Sequence, residues 1–185
     1  MPEVALPHDA TAGPTKPEVR AVTLEKLALE PTDHFVDVGS CTGSVSIEAA
    51  HRVRHVTAIE RDPQRLEITK KNLAANEYDA EVGVRAAEAP EGIPEEADAM
   101  FLGGSRNFEA VLDVAVEAGI ERIVMNAARL EVAGRAVEAF RERGILEEVV
   151  RLQVSHGYEL AGATSFDARN PVYVIVGRGE GGGLA

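Results

Sequence analysis

Two kinds of apolar pattern alternate along the chain. Short blocks, dense in Val, Ile, Phe and Ala, are nearly continuous in apolar residues. Between them lie longer stretches whose apolar residues recur every three or four positions. The first pattern marks strands covered on both faces; the second marks amphipathic helices. Read this way, residues 1–16 form an N-terminal arm with three prolines and little periodicity. A helix follows over 16–29, with Thr15 as its cap and Pro17 near its first turn. Strands are predicted at 34–40, 55–60, 80–87, 97–104, 122–128, 147–155 and 170–178. The intervening helices are predicted at 43–53, 62–78 (opening on Asp62-Pro63), 107–119 (closed by Gly119) and 131–144 (closed by Gly144). The glycine-rich end, 179–185, reads as a flexible tail.

Strands alternate with helices as far as the fifth strand. That order predicts an α/β domain over 17–178 with a doubly wound, mostly parallel sheet. The last two strands are separated by roughly 14 residues without a helical pattern. This suggests an antiparallel pair closing a seven-stranded sheet. Ligands in such sheets sit beyond the C-terminal strand ends at the topological switch point. The turns after the first four strands are therefore where chemistry is expected.

Composition narrows the function. The 185 residues suggest one domain. The formal net charge is −12, and there is no Trp. Such a chain lacks the basic field of a phosphate-backbone binder and the stacking platform of a single-strand binder, so no nucleic-acid partner is expected. The excess acid also suits a salty cytoplasm. A lone cysteine allows neither an internal disulfide nor a cysteine-based zinc cluster, so no metal site is expected. The N-terminus lacks the pattern of a signal peptide, and no apolar run is long enough for a membrane span; the expected location is the cytoplasm.

The turn after the first strand is Asp37-Val-Gly39-Ser40-Cys41-Thr42-Gly43. A dinucleotide fingerprint needs a glycine where Cys41 stands, so an NAD domain fits poorly. Asp37 would repel a phosphate but suits a cationic ligand. Glu60, 21 residues after Gly39, ends the second strand where an acid can hydrogen-bond ribose hydroxyls. Ribose with a cationic tail and no phosphate describes S-adenosylmethionine, the expected cofactor. Competing roles remain: packing for Gly39 and Gly43, a solvated carboxylate for Glu60, a small buried filler for Cys41. After the fourth strand, Gly103-Gly104 leaves a bare backbone shelf against which a large flat acceptor could lie, unless the pair only makes a turn.

The turn and the strand-end acid together resemble class I methyltransferases, with their Rossmann-like sheet and antiparallel last strand. That resemblance places Glu88 and Ala89 near the adenine, although Glu88 stands in an acidic loop where plain surface charge is the competing reading. Over residues 13–178 the chain resembles one family within them, the decarboxylating precorrin or cobalt-precorrin C15-methyltransferases of cobalamin synthesis. The matching segments are GPTKPEVRAV (13–22), FVDVGSCTGSVSIEAA (35–50), VTAIERDP (56–63), AEAP (87–90), FLGGS (101–105) and RNPVYVI (169–175). Cys41 departs from the family's usual glycine, and Glu60 stands for its frequent Asp.

The resemblance implies donor contacts at Thr15, the Gly39–Gly43 turn, Glu60 and Ala89. It implies methylation of C15 of cobalt-precorrin-6B with loss of CO2 from the C12 acetate, giving cobalt-precorrin-7. Gly103, Gly104 and Ser105 would position the acceptor, with no specific catalytic acid or base. It also implies a homotetramer and a separate C5-methyltransferase as pathway partner. A polycarboxylate tetrapyrrole needs a basic rim in this acidic protein. Arg20, Arg106, Arg129 and Arg169 are candidates to bind it, with Lys16 and His156 also on the expected ligand side. Methylation of RNA or of another small molecule, and a binding module without turnover, are the rival readings.

Overall fold

The structure is a computed structural model and describes residues 4–11 and 13–179. The expected tail therefore lies, apart from Gly179, outside the described residues, as do residues 1–3 and 12 of the arm. Five helices and nine strands are described: α1 (Pro17–Leu27), β1 (His34–Val38), α2 (Ser44–Ala50), β2 (His55–Glu60), α3 (Pro63–Ala74), β3 (Glu81–Ala86), β4 (Ala99–Leu102), α4 (Phe108–Glu117), β5 (Arg122–Ala127), α5 (Leu130–Glu142), β6 (Leu146–Leu152), β7 (Ser155–Leu160), β8 (Ala163–Ala168) and β9 (Val172–Arg178).

Seven strands form one sheet in the order β3-β2-β1-β4-β5-β9-β6. β1 to β5 pair in parallel, while β9 lies antiparallel to both β5 and β6. This is the α/β, Rossmann-like, mostly parallel seven-stranded sheet that the sequence predicts, with its antiparallel strand inserted before the edge. The near-continuous apolar strands follow from cover on both faces. Phe35, Val56, Phe101, Val124 and Val174 pack toward α1 and α2, with Leu24, Leu27, Val45 and Ala49. Their neighbours in sequence, Val36, Met100, Leu102, Met125 and Ile175, pack toward α4 and α5, with Phe108, Leu112, Ala136 and Phe140. Among the described residues no helix is long and apolar enough to cross a membrane, and no group of three or more His, Cys, Asp or Glu is placed to hold a metal ion.

Three local expectations are corrected. Thr15 does not cap α1: Lys16 holds that position without a side-chain bond, and the Thr15 carbonyl accepts from Arg20 Nη1 at 2.9 Å. The helix ends at Leu27 because Ala28 turns left-handed at φ 47°. The stretch before β9 is not an open connection. It is a hairpin, β7–β8, forming a separate two-stranded sheet around Ala161-Gly162, both left-handed. Tyr158, Leu160 and Phe166 on it are exposed. No core periodicity marked it, because neither face is covered. Asp62, by contrast, caps α3 as its sequence suggests, accepting from the amides of Gln64 and Arg65.

Candidate active site

β1 and β4 end side by side at the switch point, and glycine lets them do so. A Cβ on Gly103 would stand 3.2 Å from the Gly39 carbonyl oxygen, and one on Gly39 would stand 3.3 Å from the Gly104 nitrogen. The Gly103 amide instead donates to the Val38 carbonyl at 2.9 Å. Gly104 faces open space. The shelf expected from the glycine pair thus has one glycine that closes the strands together and one that is bare.

The turn itself is tied down from inside. The Gly39 and Ser40 amides both donate to the Ile59 carbonyl, the Cys41 amide to Glu60 Oε2, and the Gly43 amide to the Ser40 carbonyl. A phosphate cradle needs such amides free, and here they are bonded. From the far side, α3 holds the turn: Thr69 Oγ1 donates to the Cys41 carbonyl and Asn72 Nδ2 to the Thr42 carbonyl, each at 2.9 Å. Cys41 occupies the left-handed region at φ 54°, a conformation that favours glycine. Its thiol is half-buried rather than the buried filler expected, and lies in a cavity wall. Burial pushes the thiol pKa up, with Glu60, Asp37 and Asp9 adding to it against Arg65, so a nucleophilic role is disfavoured.

The two acids of the motif differ. Glu60 is buried, and each oxygen accepts one amide, from Cys41 at 3.1 Å and Asp62 at 2.9 Å. Each oxygen keeps lone-pair capacity for a hydroxyl, which fits the two hydroxyls of a ribose. Asp37 is also buried. Its Oδ2 accepts from Ser46 Oγ at 2.5 Å, while Oδ1 has no hydrogen-bond partner. Burial pushes its pKa up to about 6, with the Glu60 charge adding to the rise and the Ser46 bonds opposing it. A buried acid with an orphaned oxygen beneath the turn fits a cationic ligand and excludes an anionic one. The residues present therefore fit S-adenosylmethionine.

Two cavities flank the ends of β1 and β4, the smaller lined by Gly39 and Gly104 and the larger by Gly103. The smaller, about 240 Å³, is bounded by Gly39, Glu60, Glu88, Ala89, Gly104 and Ser105, with Arg61, Arg65 and Arg106 among its wall residues. The larger, about 430 Å³, runs from Thr15 and Lys16 of the arm past Ser40, Cys41 and Thr42 to Phe101, Gly103 and Asn126, and is closed by residues 170–172. All the expected donor residues except Asp37 and Gly43 thus line one of the two; Asp37 lies beneath the turn, and Gly43 caps α2 against Thr69.

The basic rim is arranged differently from the expectation. Arg20 is buried against Glu48, so its guanidinium is not free for a substrate carboxylate. Arg129 precedes α5, exposed and outside both cavity walls. Arg169 is also outside them and faces Asp167 at 3.6 Å, and His156 faces Glu18 at 3.4 Å. Only Arg106 and Lys16 line a cavity, Arg106 with Glu88 at 3.9 Å. Two wall residues escaped sequence reasoning. Arg65 lines both cavities, and Asn126 lines the larger. The signal for Arg65 was available: Arg65, Thr69 and Asn72 share one face of α3 at i, i+4 and i+7, a polar stripe turned to the ligand loop.

Comparison with known proteins places this geometry in context. A family described as "Precorrin methyltransferase domain" matches residues 7–177. The chain is 64% identical over 181 residues to the probable cobalt-precorrin-6B C(15)-methyltransferase (decarboxylating) of Halobacterium salinarum, spanning 98% of this chain and 97% of that protein. Among solved structures, precorrin 8w decarboxylase of Methanobacterium thermoautotrophicum superposes with a TM-score of 0.84 at 31% identity, covering 92% of this chain and 95% of that one. Precorrin-6y C5,15-methyltransferase of Geobacter metallireducens gives 0.82 at 34% identity, covering 92% and 93%.

Proposed function

The chain belongs to the precorrin methyltransferase domain family, and on that premise we propose that it is the decarboxylating C15-methyltransferase acting on cobalt-precorrin-6B in cobalamin biosynthesis. Its methyl donor is S-adenosylmethionine, which supplies an electrophilic methyl group when bound. The reaction joins that methyl to C15 and releases the C12 acetate carboxyl as CO2. The electron pair of the breaking C–C bond passes into the ring, the S–CH3 pair stays on sulfur as S-adenosylhomocysteine leaves, and the proton lost from the ring is balanced by one gained at the former acetate carbon, which becomes a methyl. The product is cobalt-precorrin-7.

The observation that carries the donor assignment is Glu60, a buried carboxylate whose oxygens each hold one amide and retain room for one hydroxyl. Ala87–Ala89 take the adenine side of the same cavity, and Asp37 offsets the positive charge of the donor's tail. Ser40, Cys41 and Thr42 carry that tail toward the larger cavity, with Thr15 beyond them. Gly104 and Ser105 leave room where donor and acceptor meet, and Gly103 keeps the strand ends close enough to fix that meeting point. No acid–base pair is required: an electron-rich carbon held in line with the methyl reacts by positioning. Calorimetric titration with S-adenosylhomocysteine, with NADH as control, tests the donor site. Micromolar binding of the former alone is expected, and binding of NADH with equal affinity would overturn the assignment. Methyl transfer to cobalt-precorrin-6B, read by mass with the loss of CO2, tests the reaction.

The enzyme works as a homotetramer in the cytoplasm, alongside a separate C5-methyltransferase. The exposed Tyr158, Leu160 and Phe166 of the β7–β8 hairpin support an assembly contact there, since an uncovered two-stranded sheet is marginal alone. Light scattering that returns a monomer mass would rule the tetramer out.

A further inference from the structure

The larger cavity has an unusual charge. The chain carries 31 Asp and Glu residues, yet none of the described ones lines this cavity. Lys16 and Arg65 do, and among the described residues neither side chain makes a hydrogen bond or ion pair, Arg65 feeling Asp62 at the start of its helix only through space. Elsewhere the arginines of this acidic chain are mostly held: Arg20 by Glu48, Arg122 by Asp33, Arg143 by Asp113, Arg178 by Glu147. Two cations without ion-pair partners therefore face this cavity in a protein of net charge −12, while the carboxylates that act on it (Glu60, Asp37 and Asp9) lie behind the Cys41 side of the wall. From this we infer that the part of the larger cavity beyond the donor's tail is the acceptor's carboxylate subsite, with Lys16 and Arg65 each holding one peripheral carboxylate of the tetrapyrrole. The identity of the acceptor rests on the methyltransferase reading above.

The ligand chemistry is a carboxylate, and the donor's amino-acid end also carries one. That end brings an ammonium and a sulfonium with its single carboxylate, so it is net positive and gains nothing from two facing cations. The acceptor is a polyanion and gains from both. The held groups are not the acetate that leaves. A cation paired to a carboxylate stabilises its charge and opposes loss of CO2, so Lys16 and Arg65 hold the spectator carboxylates and orient the ring. Arg65 is well placed for this: Asp62 fixes its backbone amide at 3.1 Å and α3 carries it between both cavities. Its planar fork suits bidentate pairing, whereas Lys16 on the arm supplies a point charge.

The test compares wild type with Arg65→Gln, Arg65→Lys and Lys16→Met. Each neutral variant is expected to raise the KM for cobalt-precorrin-6B about tenfold, the loss of one charge-assisted pair. For Lys16→Met, which lies outside the smaller cavity, the affinity for S-adenosylhomocysteine should stay within about twofold, and Arg65→Lys should recover part of the KM loss of Arg65→Gln. A fall in S-adenosylhomocysteine affinity with unchanged acceptor KM would assign the cations to the donor and overturn the inference. Unchanged values for both ligands would overturn it too. Fluorescence titration with uroporphyrin, a stable polycarboxylate tetrapyrrole, separates this from the reading beneath it. If wild type binds uroporphyrin in a salt-sensitive way that Arg65→Gln weakens, the subsite stands even where no methyl is transferred. Uroporphyrin binding that ignores both substitutions removes the subsite even where turnover is normal.

Discussion

The two cavities share Arg65, yet they are built on opposite electrostatic plans. The smaller holds Glu60 and Glu88 among three arginines, in a wall where charges largely answer one another. The larger holds two cations and no acid. On the proposed reading the smaller suits the donor's nucleoside; the larger takes the donor's tail on its Ser40–Thr42 side and suits a polyanion beyond it. An acidic protein need not present an acidic site: net charge governs solubility and long-range encounter, whereas the wall governs what stays.

The contrast can be broken from the donor side first. Glu60→Ala removes the acceptor for ribose and leaves the Cys41 and Asp62 amides unpartnered. It should weaken S-adenosylhomocysteine binding about a hundredfold by calorimetry. Asp37 tests the buried charge. Its folded pKa, about 6, lies above the ordinary carboxyl value of 3.8, so the neutral carboxyl favours the folded state. That contribution is complete below pH 3.8 and is lost as pH rises to about 6, on the order of 2–3 kcal/mol. Denaturant unfolding of the ligand-free protein should show this downward slope, and Asp37→Asn should remove it.

The shelf gives a paired test. Gly103→Ala puts a methyl 3.2 Å from the Gly39 carbonyl and should cost about 1–3 kcal/mol in unfolding experiments. Gly104→Ala meets nothing within 4 Å and should leave stability within about 0.5 kcal/mol, while narrowing the site. The smallest effect belongs to Cys41→Gly. It relieves a left-handed cysteine and should stabilise by less than about 1 kcal/mol, with donor affinity within about threefold.

What could be read without coordinates follows from where the physics is local. The sheet was legible because both faces are covered, so apolar blocks such as residues 99–102 stand out. The methyl donor was legible because an acid, two glycines and a second acid at fixed spacing leave few ligands possible. The hairpin was not, since its residues touch no core and Ala161-Gly162 is a weak turn signal. The basic rim was misjudged because ion pairing is a property of distant residues: Arg20 meets Glu48 only after α1 and α2 pack on the sheet. Arg65 was overlooked because its neighbours in sequence describe a helix start, while its role depends on two loops carried by other strands.

The position of β9 has a consequence for synthesis on the ribosome. This strand comes late in translation but lies inside the sheet, between β5 and β6, with Val174, Ile175 and Val176 fully buried. A nascent chain that has emerged only to Leu152 already contains every strand and turn of the donor pocket. It cannot dock β6, and it lacks residues 170–172, which close the acceptor wall. The smaller cavity is thus complete in sequence while the ribosome is still working, and the larger is assembled only after residue 178 has left the exit tunnel.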